Sequence, residues 1–270
     1  MRRSEWRQLP PLREARSGCR AVWAGSGAGG RIVVLGGHGS ADINRGGTLS
    51  SVESLALGAQ PAPGAGPEEL ATGGAWEALP PMLAQRSHFG CAPLPGGAIA
   101  VAGGCGERGA VIDLAEVYEP DTPDVVGGGG WRELPRLPDA AEGCSLAFVP
   151  NSDSEGGVLL LLGCGSGCLA LTLSAGGSDA WAGVGAQPRV PRAFSSVFAA
   201  AGSLWVVGGR TVATTGEEQD QDCTSAEHIS IAALRGEPQA EKTGWESVGG
   251  WAGGGGLKLG AVGAVAAITH

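Results

Sequence analysis

The amino-acid sequence predicts an all-β fold made of several small four-stranded sheets, and three observations carry that prediction. A tryptophan signal returns along the chain, as WRQLPPLREARSGC from Trp6, WEALPPMLAQRSHFGC from Trp76 and WRELPRLPDAAEGC from Trp131. Weaker copies stand at Trp181 (WAGVGAQPRVPRAF) and Trp245 (WESVGGWAGGGGLKLGAV). Each signal is followed by short apolar runs bounded by glycine, the pattern of strands covered on both faces. The composition agrees: 50 glycines and 17 prolines in 270 residues, with no Gly-X-Y period, mean many turns and close backbone approaches.

The elements follow one order in every copy. After the Trp-Leu-Pro signal come a turn and a first apolar strand, then a second strand that ends in Gly-Gly. The second strands are expected at 31–35 before Gly36-Gly37, at 98–102 before Gly103-Gly104 and at 204–207 before Gly208-Gly209. The third copy has 158–162 before Gly163-Cys164 and keeps one glycine. Third strands are expected at 51–55, 115–118, 168–173 and 226–231, and the next tryptophan opens a fourth. Proline after the fourth strand stops it, because proline has no N–H for a ladder. Four short strands cannot bury both of their own faces, so neighbouring sheets must stack as the blades of a β-propeller. The tryptophan, the largest apolar side chain of each copy, is expected to wedge between blades.

With the tryptophans 50–70 residues apart, the diglycine ending the second strand and Glu116-Val117-Tyr118-Glu119-Pro120 in the third, the chain resembles the kelch-repeat family, whose period is about 50 residues with four strands per blade. The resemblance covers nearly the whole chain. It implies a single kelch-type propeller domain over 1–270, with full blades near 12–80, 81–136, 137–186 and 187–249 and part-blade strands at 1–11 and 250–270. Family propellers close by mixing N- and C-terminal strands in one blade. Two expectations follow: a piece of a longer, six-bladed protein, or a short and open propeller.

Bulk properties bound the function. A formal net charge of −9 argues against nucleic acid or an anionic membrane as partner, although six arginines crowd the first 20 residues. Met1-Arg2-Arg3 leads into Ser4, Glu5 and Trp6 and not into an apolar signal-peptide core, and the most apolar stretches, 158–162 and 257–269, fall short of the ~20 residues of a membrane span. Seven cysteines, an odd number without framework spacing, fit reduced thiols in a cytoplasmic protein.

Motifs that suggest chemistry dissolve on inspection. Gly25, Gly27 and Gly30 form a G-x-G-x-x-G that precedes a strand, and Gly104, Gly106 and Gly109 form one with no room for the required helix before Pro120. Cys164 and Cys168 have no second pair at ligand spacing, so no metal and no cofactor are expected. Cys19, Cys91 and Cys144 fall at matching first-strand places, as small buried residues near the axis. Copper–radical oxidases within the family need two tyrosines, and this chain has one. No G-x-S-x-G elbow occurs. The acidic stretch 216–222 reads as a solvated loop.

One feature recurs with the repeats. Arg16, Arg86 and Arg192 sit 10 or 11 residues after their tryptophans, and Glu142 is read as taking that place in the third copy. A ring of arginines on one face, with His88 nearby, would grip carboxylates of an acidic peptide. The competing reading is that each arginine holds the blades together. The resemblance implies a non-enzymatic interaction scaffold or substrate-adaptor module that binds a protein partner. The alternatives are a propeller enzyme of the sugar epimerase or isomerase type and a regulatory piece of a larger multidomain protein.

Overall fold

The computed structural model describes residues 8–25, 30–39, 47–56, 74–120, 129–151, 156–164, 167–174, 177–178, 180–211, 222–235 and 244–248. Trp6, residues 1–7 of the expected end strand 1–11, the whole of the expected end strand 250–270, and residues 216–221 of the acidic stretch 216–222 lie outside these residues.

Four antiparallel sheets repeat one plan. In blade 1, β1 (Arg20–Ala24), β2 (Arg31–Leu35), β3 (Val52–Ala56) and β4 (Glu77–Leu79) pair in that order. Blade 2 repeats it with β5 (Gly90–Pro93), β6 (Ile99–Ala102), β7 (Ala115–Glu119) and β8 (Gly130–Leu134). Blade 3 has β9 (Ser145–Pro150), β10 (Gly157–Cys164) and β11 (Gly167–Ser174), whose edge is met by two short pieces, β12 (Gly177–Ser178) and β13 (Ala182–Gly183). Before blade 4 comes β14 (Arg192–Ala193), which pairs with β17 (Arg210–Thr211) as a two-residue ribbon. Blade 4 itself is β15 (Ser196–Ala200), β16 (Ser203–Val207), β18 (Ala226–Ser230) and β19 (Glu246–Val248), with one helical turn, α1 (Ile231–Leu234), after β18.

The inner strands β1, β5, β9 and β15 stand side by side in chain order and line the axis. Alternation along each strand sends one side chain toward the preceding blade and the next toward the following one. Three apolar layers result. Val33, Leu35 and Val52 of blade 1 meet Phe89, Ile99, Val101 and Tyr118 of blade 2. Ala92, Ala100, Ala102 and Ala115 of blade 2 meet Leu146, Leu159, Leu161, Leu169 and Leu171 of blade 3. Ala147, Leu160, Leu162 and Cys168 of blade 3 meet Leu204, Val206 and Ile229 of blade 4. Small faces large in the second layer, which is how neighbouring sheets reach interior packing density.

The tryptophans join consecutive copies of the signal. The indole N–H of Trp76 donates to the Pro10 carbonyl (2.8 Å), Trp131 to Pro80 (2.9 Å), Trp181 to Pro135 (2.8 Å) and Trp245 to Ala186 (3.1 Å). Trp181 and Trp245 lie in the second and third layers, Trp131 packs on the first, and Trp76 joins Val34 and Leu55 on the outer face of blade 1. An indole N–H taken out of water needs an acceptor, and the carbonyl that closes the preceding Leu-Pro supplies it for Trp76, Trp131 and Trp181, that of Ala186 for Trp245.

Candidate functional site

The strand registers align the blades residue by residue. Leu35, Ala102, Leu162 and Val207, each just before the diglycine or its remnant, pair with Arg20, Gly90, Ser145 and Ser196. Counting back four places gives Arg16, Arg86, Ala141 and Arg192. The third copy therefore carries Ala141 at the arginine place, not Glu142, which stands one residue later. The same alignment matches Cys19 with Phe89, Cys144 and Ser195. Cys91 lies two residues further along, because Phe89 already fills the place that Cys19 and Cys144 occupy.

The three arginines are built into their own blades. Their side chains are 0%, 0% and 2% exposed, and their acid partners are Glu53, Glu116 and Glu227, at the second residue of the third strands. Arg16 donates to the Gly36 and Ser51 carbonyls (both 3.0 Å) and to Glu53 (2.5 Å). Arg86 donates to Gly103 (2.7 Å), Leu114 (2.9 Å) and Glu116. Arg192 donates to Gly208 (3.2 Å), Ser225 (3.0 Å) and Glu227 (2.5 Å). Each carboxylate also accepts two amides from the turn before the first strand: Arg13 and Glu14, Leu83 and Ala84, Arg189 and Val190. Burial pulls the Arg86 guanidinium below its usual pKa, and the Glu116 carboxylate opposes it. Buried in this way, the three arginines brace the turn, the diglycine and the third strand inside each blade. They do not form an open ring, and a partner's carboxylates do not reach them.

A different group collects where the chain enters the inner strands. Gly18, His88, Gly143 and Phe194 are equivalent, and all four have positive φ: 61°, 54°, 65° and 56°. Their backbones hand one hydrogen bond from blade to blade: His88 N–H to Gly18 C=O (3.0 Å), Gly143 to His88 (2.7 Å) and Phe194 to Gly143 (2.6 Å). The bulky rings lie over the glycines, so a Cβ on Gly18 would stand 2.8 Å from the His88 ring and one on Gly143 would stand 2.9 Å from the Phe194 ring. His88 meets Phe194 edge-on at 5.6 Å and His38 at 5.8 Å. The buried Ser87 hydroxyl lies 3.4 Å from His38 Nε2 and from His88 Nδ1. On one flank Cys105 donates its thiol to Glu142 (2.5 Å), and burial together with that carboxylate pushes the thiol up to about 12, so it stays protonated.

Arg20 completes the group. It reaches across the inner strands, Nε donating to the Phe89 carbonyl of blade 2 (2.6 Å) and a terminal nitrogen to Cys144 of blade 3 (3.3 Å). Among the described residues it makes no ion pair, in contrast to Arg16, Arg86 and Arg192. Burial first, then the positive charge of His38 and Arg20, holds the His88 imidazole below its usual pKa, with Glu142 acting the other way. No group of three or more His, Cys, Asp or Glu that could hold a metal occurs among the described residues.

The diglycines sit at the blade joints. Gly36-Gly37, Gly103-Gly104 and Gly208-Gly209 all have positive φ. A Cβ on Gly36 would lie 2.4 Å from the Arg86 carbonyl of the next blade, and on Gly103 2.4 Å from that of Ala141. The second glycine donates to the same carbonyl, Gly37 to Arg86 (2.9 Å) and Gly104 to Ala141 (2.6 Å). No protein-family model matches the chain. An 88-residue stretch, 30% of the chain, is 33% identical to the F-box/kelch-repeat protein OR23 of Arabidopsis thaliana and spans 18% of that protein. The solved structure of YjhT superposes with a TM-score of 0.57 at 13% identity, covering 90% of this chain and 68% of YjhT. The chain has the fold of a kelch-type β-propeller.

Within this kelch propeller the sequence pointed to two members of the axial group, His88 and His38, as histidines near strand ends. It missed Arg20, because alignment on cysteine hid which residue begins each inner strand. It also missed the Cys105–Glu142 contact, since Glu142 had been assigned to the arginine place. His38 and Cys105 both follow a diglycine directly, and that shared position was the available signal. Among the described residues no helix is long and apolar enough to cross a membrane.

Proposed function

We propose that this kelch propeller is a non-enzymatic, cytoplasmic interaction scaffold that receives an acidic segment of a protein partner at the axial end formed by Arg20, His88 and His38. Arg20 carries the reading: a half-buried guanidinium at the axis, free of any acid among the described residues, in a chain of net charge −9. An arriving carboxylate would gain a charge-assisted hydrogen bond from it. The same negative total charge disfavours nucleic acid and anionic membrane as alternatives. Synthetic peptides bearing paired Asp or Glu should bind the wild-type protein in fluorescence anisotropy, lose binding with Arg20→Ala and regain part of it with Arg20→Lys. Equal binding by wild type and Arg20→Ala would remove the reading.

A second reading rests on the Ser87 hydroxyl between two imidazoles, an arrangement able to move a proton at a sugar carbon or oxygen. The two separate cleanly. An epimerase or mutarotase would speed interconversion of reducing-sugar epimers or anomers and lose that activity with His38→Gln, whereas a scaffold leaves the sugar at its uncatalysed rate.

A further inference from the structure

His88 and His38 share one hydroxyl. Ser87 Oγ lies 3.4 Å from His88 Nδ1, from His38 Nε2 and from the Cys105 carbonyl. A hydroxyl has one hydrogen and two lone pairs. With its hydrogen given to the Cys105 carbonyl, Ser87 accepts one N–H from each ring. The lone pair of the His88 imidazole then sits on Nε2, which lies over Gly18 at the entry to β1. Among the described residues Nε2 has no hydrogen-bond partner. His38 is buried, whereas the His88 ring is half-exposed.

All four blades contribute to the surroundings of this ring. Blade 1 brings Gly18, the Arg20 guanidinium and His38, whose ring centroid is 5.8 Å away. The turn after β6 in blade 2 brings Cys105, and the entry to blade 3 brings the exposed Glu142, tied to the Cys105 thiol at 2.5 Å. Blade 4 adds only the uncharged ring of Phe194, edge-on at 5.6 Å. Burial first, then His38 and Arg20, keep the His88 ring uncharged at neutral pH, and Glu142 alone opposes them.

We infer that docking of a carboxylate at this axial end is coupled to proton uptake by the His38–His88 pair. The inference rests on the acidic-segment reading above and adds its regulation by pH. A carboxylate that pairs with Arg20 cancels the charge that opposes a proton on His88 Nε2. The new N–H then gives the ligand a second charge-assisted hydrogen bond. Two rings this close titrate together, so the proton is counted over both. By linkage the complex holds more protons than the free protein, and affinity rises as pH falls.

Titration calorimetry on the full chain counts the protons directly. The probe is a peptide bearing paired glutamates, with its paired-glutamine counterpart as the blank, near the ordinary histidine pKa of about 6.5. MES and bis-Tris differ in heat of ionisation, so proton uptake appears as a difference in binding enthalpy between them at one ionic strength. Wild type should take up roughly half a proton or more per peptide and tighten roughly five-fold between about pH 7.5 and 5.5. His88→Gly, which copies Gly18 and Gly143, should take up less, and His38→Gln with His88→Gly none. Equal enthalpies in the two buffers, with the peptide bound, would overturn the coupling and leave the docking reading standing. Unchanged uptake in the double variant would overturn it too, since the proton would then lie on Glu142 or on the peptide. No binding in either buffer would remove the docking reading, and the coupling with it.

Discussion

In blade 2 the carbonyls of Gly103 and Leu114 and the amides of Leu83 and Ala84 all converge on one buried ion pair, Arg86–Glu116. In blade 3 the two equivalent places hold Ala141 and Leu169, both buried in the layer against blade 2. The substitution is concerted. Both charges are gone together, and the turn residue matching Leu83 is Pro138, which has no N–H to satisfy. The sheet nevertheless pairs in the same register order, and its β10 and β11 are the longest strands of the four blades. The difference teaches that the pair is replaceable as a unit. A half pair leaves a charge in an apolar layer, which costs far more than either complete solution.

Breaking blade 3 is the harshest way to probe this. Leu169→Glu alone places a carboxylate among leucines with no arginine opposite, and the expected loss of unfolding free energy is about 3–5 kcal/mol in chemical denaturation. Adding Ala141→Arg should recover part of the loss, and no recovery would mean that the two places do not face each other as they do in blade 2. Gly103→Ala probes the joint that both blades share. Its Cβ would strike the Ala141 carbonyl from a residue with φ +64°, and a loss of about 2–3 kcal/mol is expected. A neutral result would show that the diglycine is not needed for the joint.

Smaller effects sharpen the contrast. Trp181→Phe keeps an aromatic ring between blades 2 and 3 but leaves the Pro135 carbonyl without its donor, for about 1–2 kcal/mol. The smallest is a pH effect at His88. Its folded-state pKa is held below the unfolded value, so the unfolded chain binds the proton first and stability falls as pH drops below about 6.5. His88→Gly, which copies Gly18 and Gly143, should flatten the denaturation midpoint between pH 7 and 5 relative to wild type. An unchanged slope would exclude His88 as the group responsible.

Much of the scaffold was legible because it is written in large, repeated signals. Tryptophan and Leu-Pro mark the outer strands, and glycine pairs mark the joints, since few residues tolerate positive φ beside a neighbouring carbonyl. The second strand at 31–35 was placed to the residue, and that of the third copy came out longer, at Gly157–Cys164, because a hairpin with β11 extends it. The site was less legible. Recurrent arginines look the same in sequence whether they face water or a buried glutamate, and only the register of the third strand brings Glu53, Glu116 and Glu227 beneath them. In the third copy the arginine place is apolar, so the nearest charge, Glu142, drew the alignment off by one. Arg20 has Gly90, Ser145 and Ser196 as its equivalents, so nothing repeats to announce it.

The double-mutant cycle of Arg86→Ala and Glu116→Leu in blade 2, which rebuilds the blade 3 solution there, is the most direct test. Urea unfolding should show each single variant destabilised by about 3–5 kcal/mol. The double variant should lie well above the sum of the two, with a coupling of about 2 kcal/mol or more. Single effects that simply add, within about 0.5 kcal/mol, would contradict the claim that the pair stands or falls as a unit.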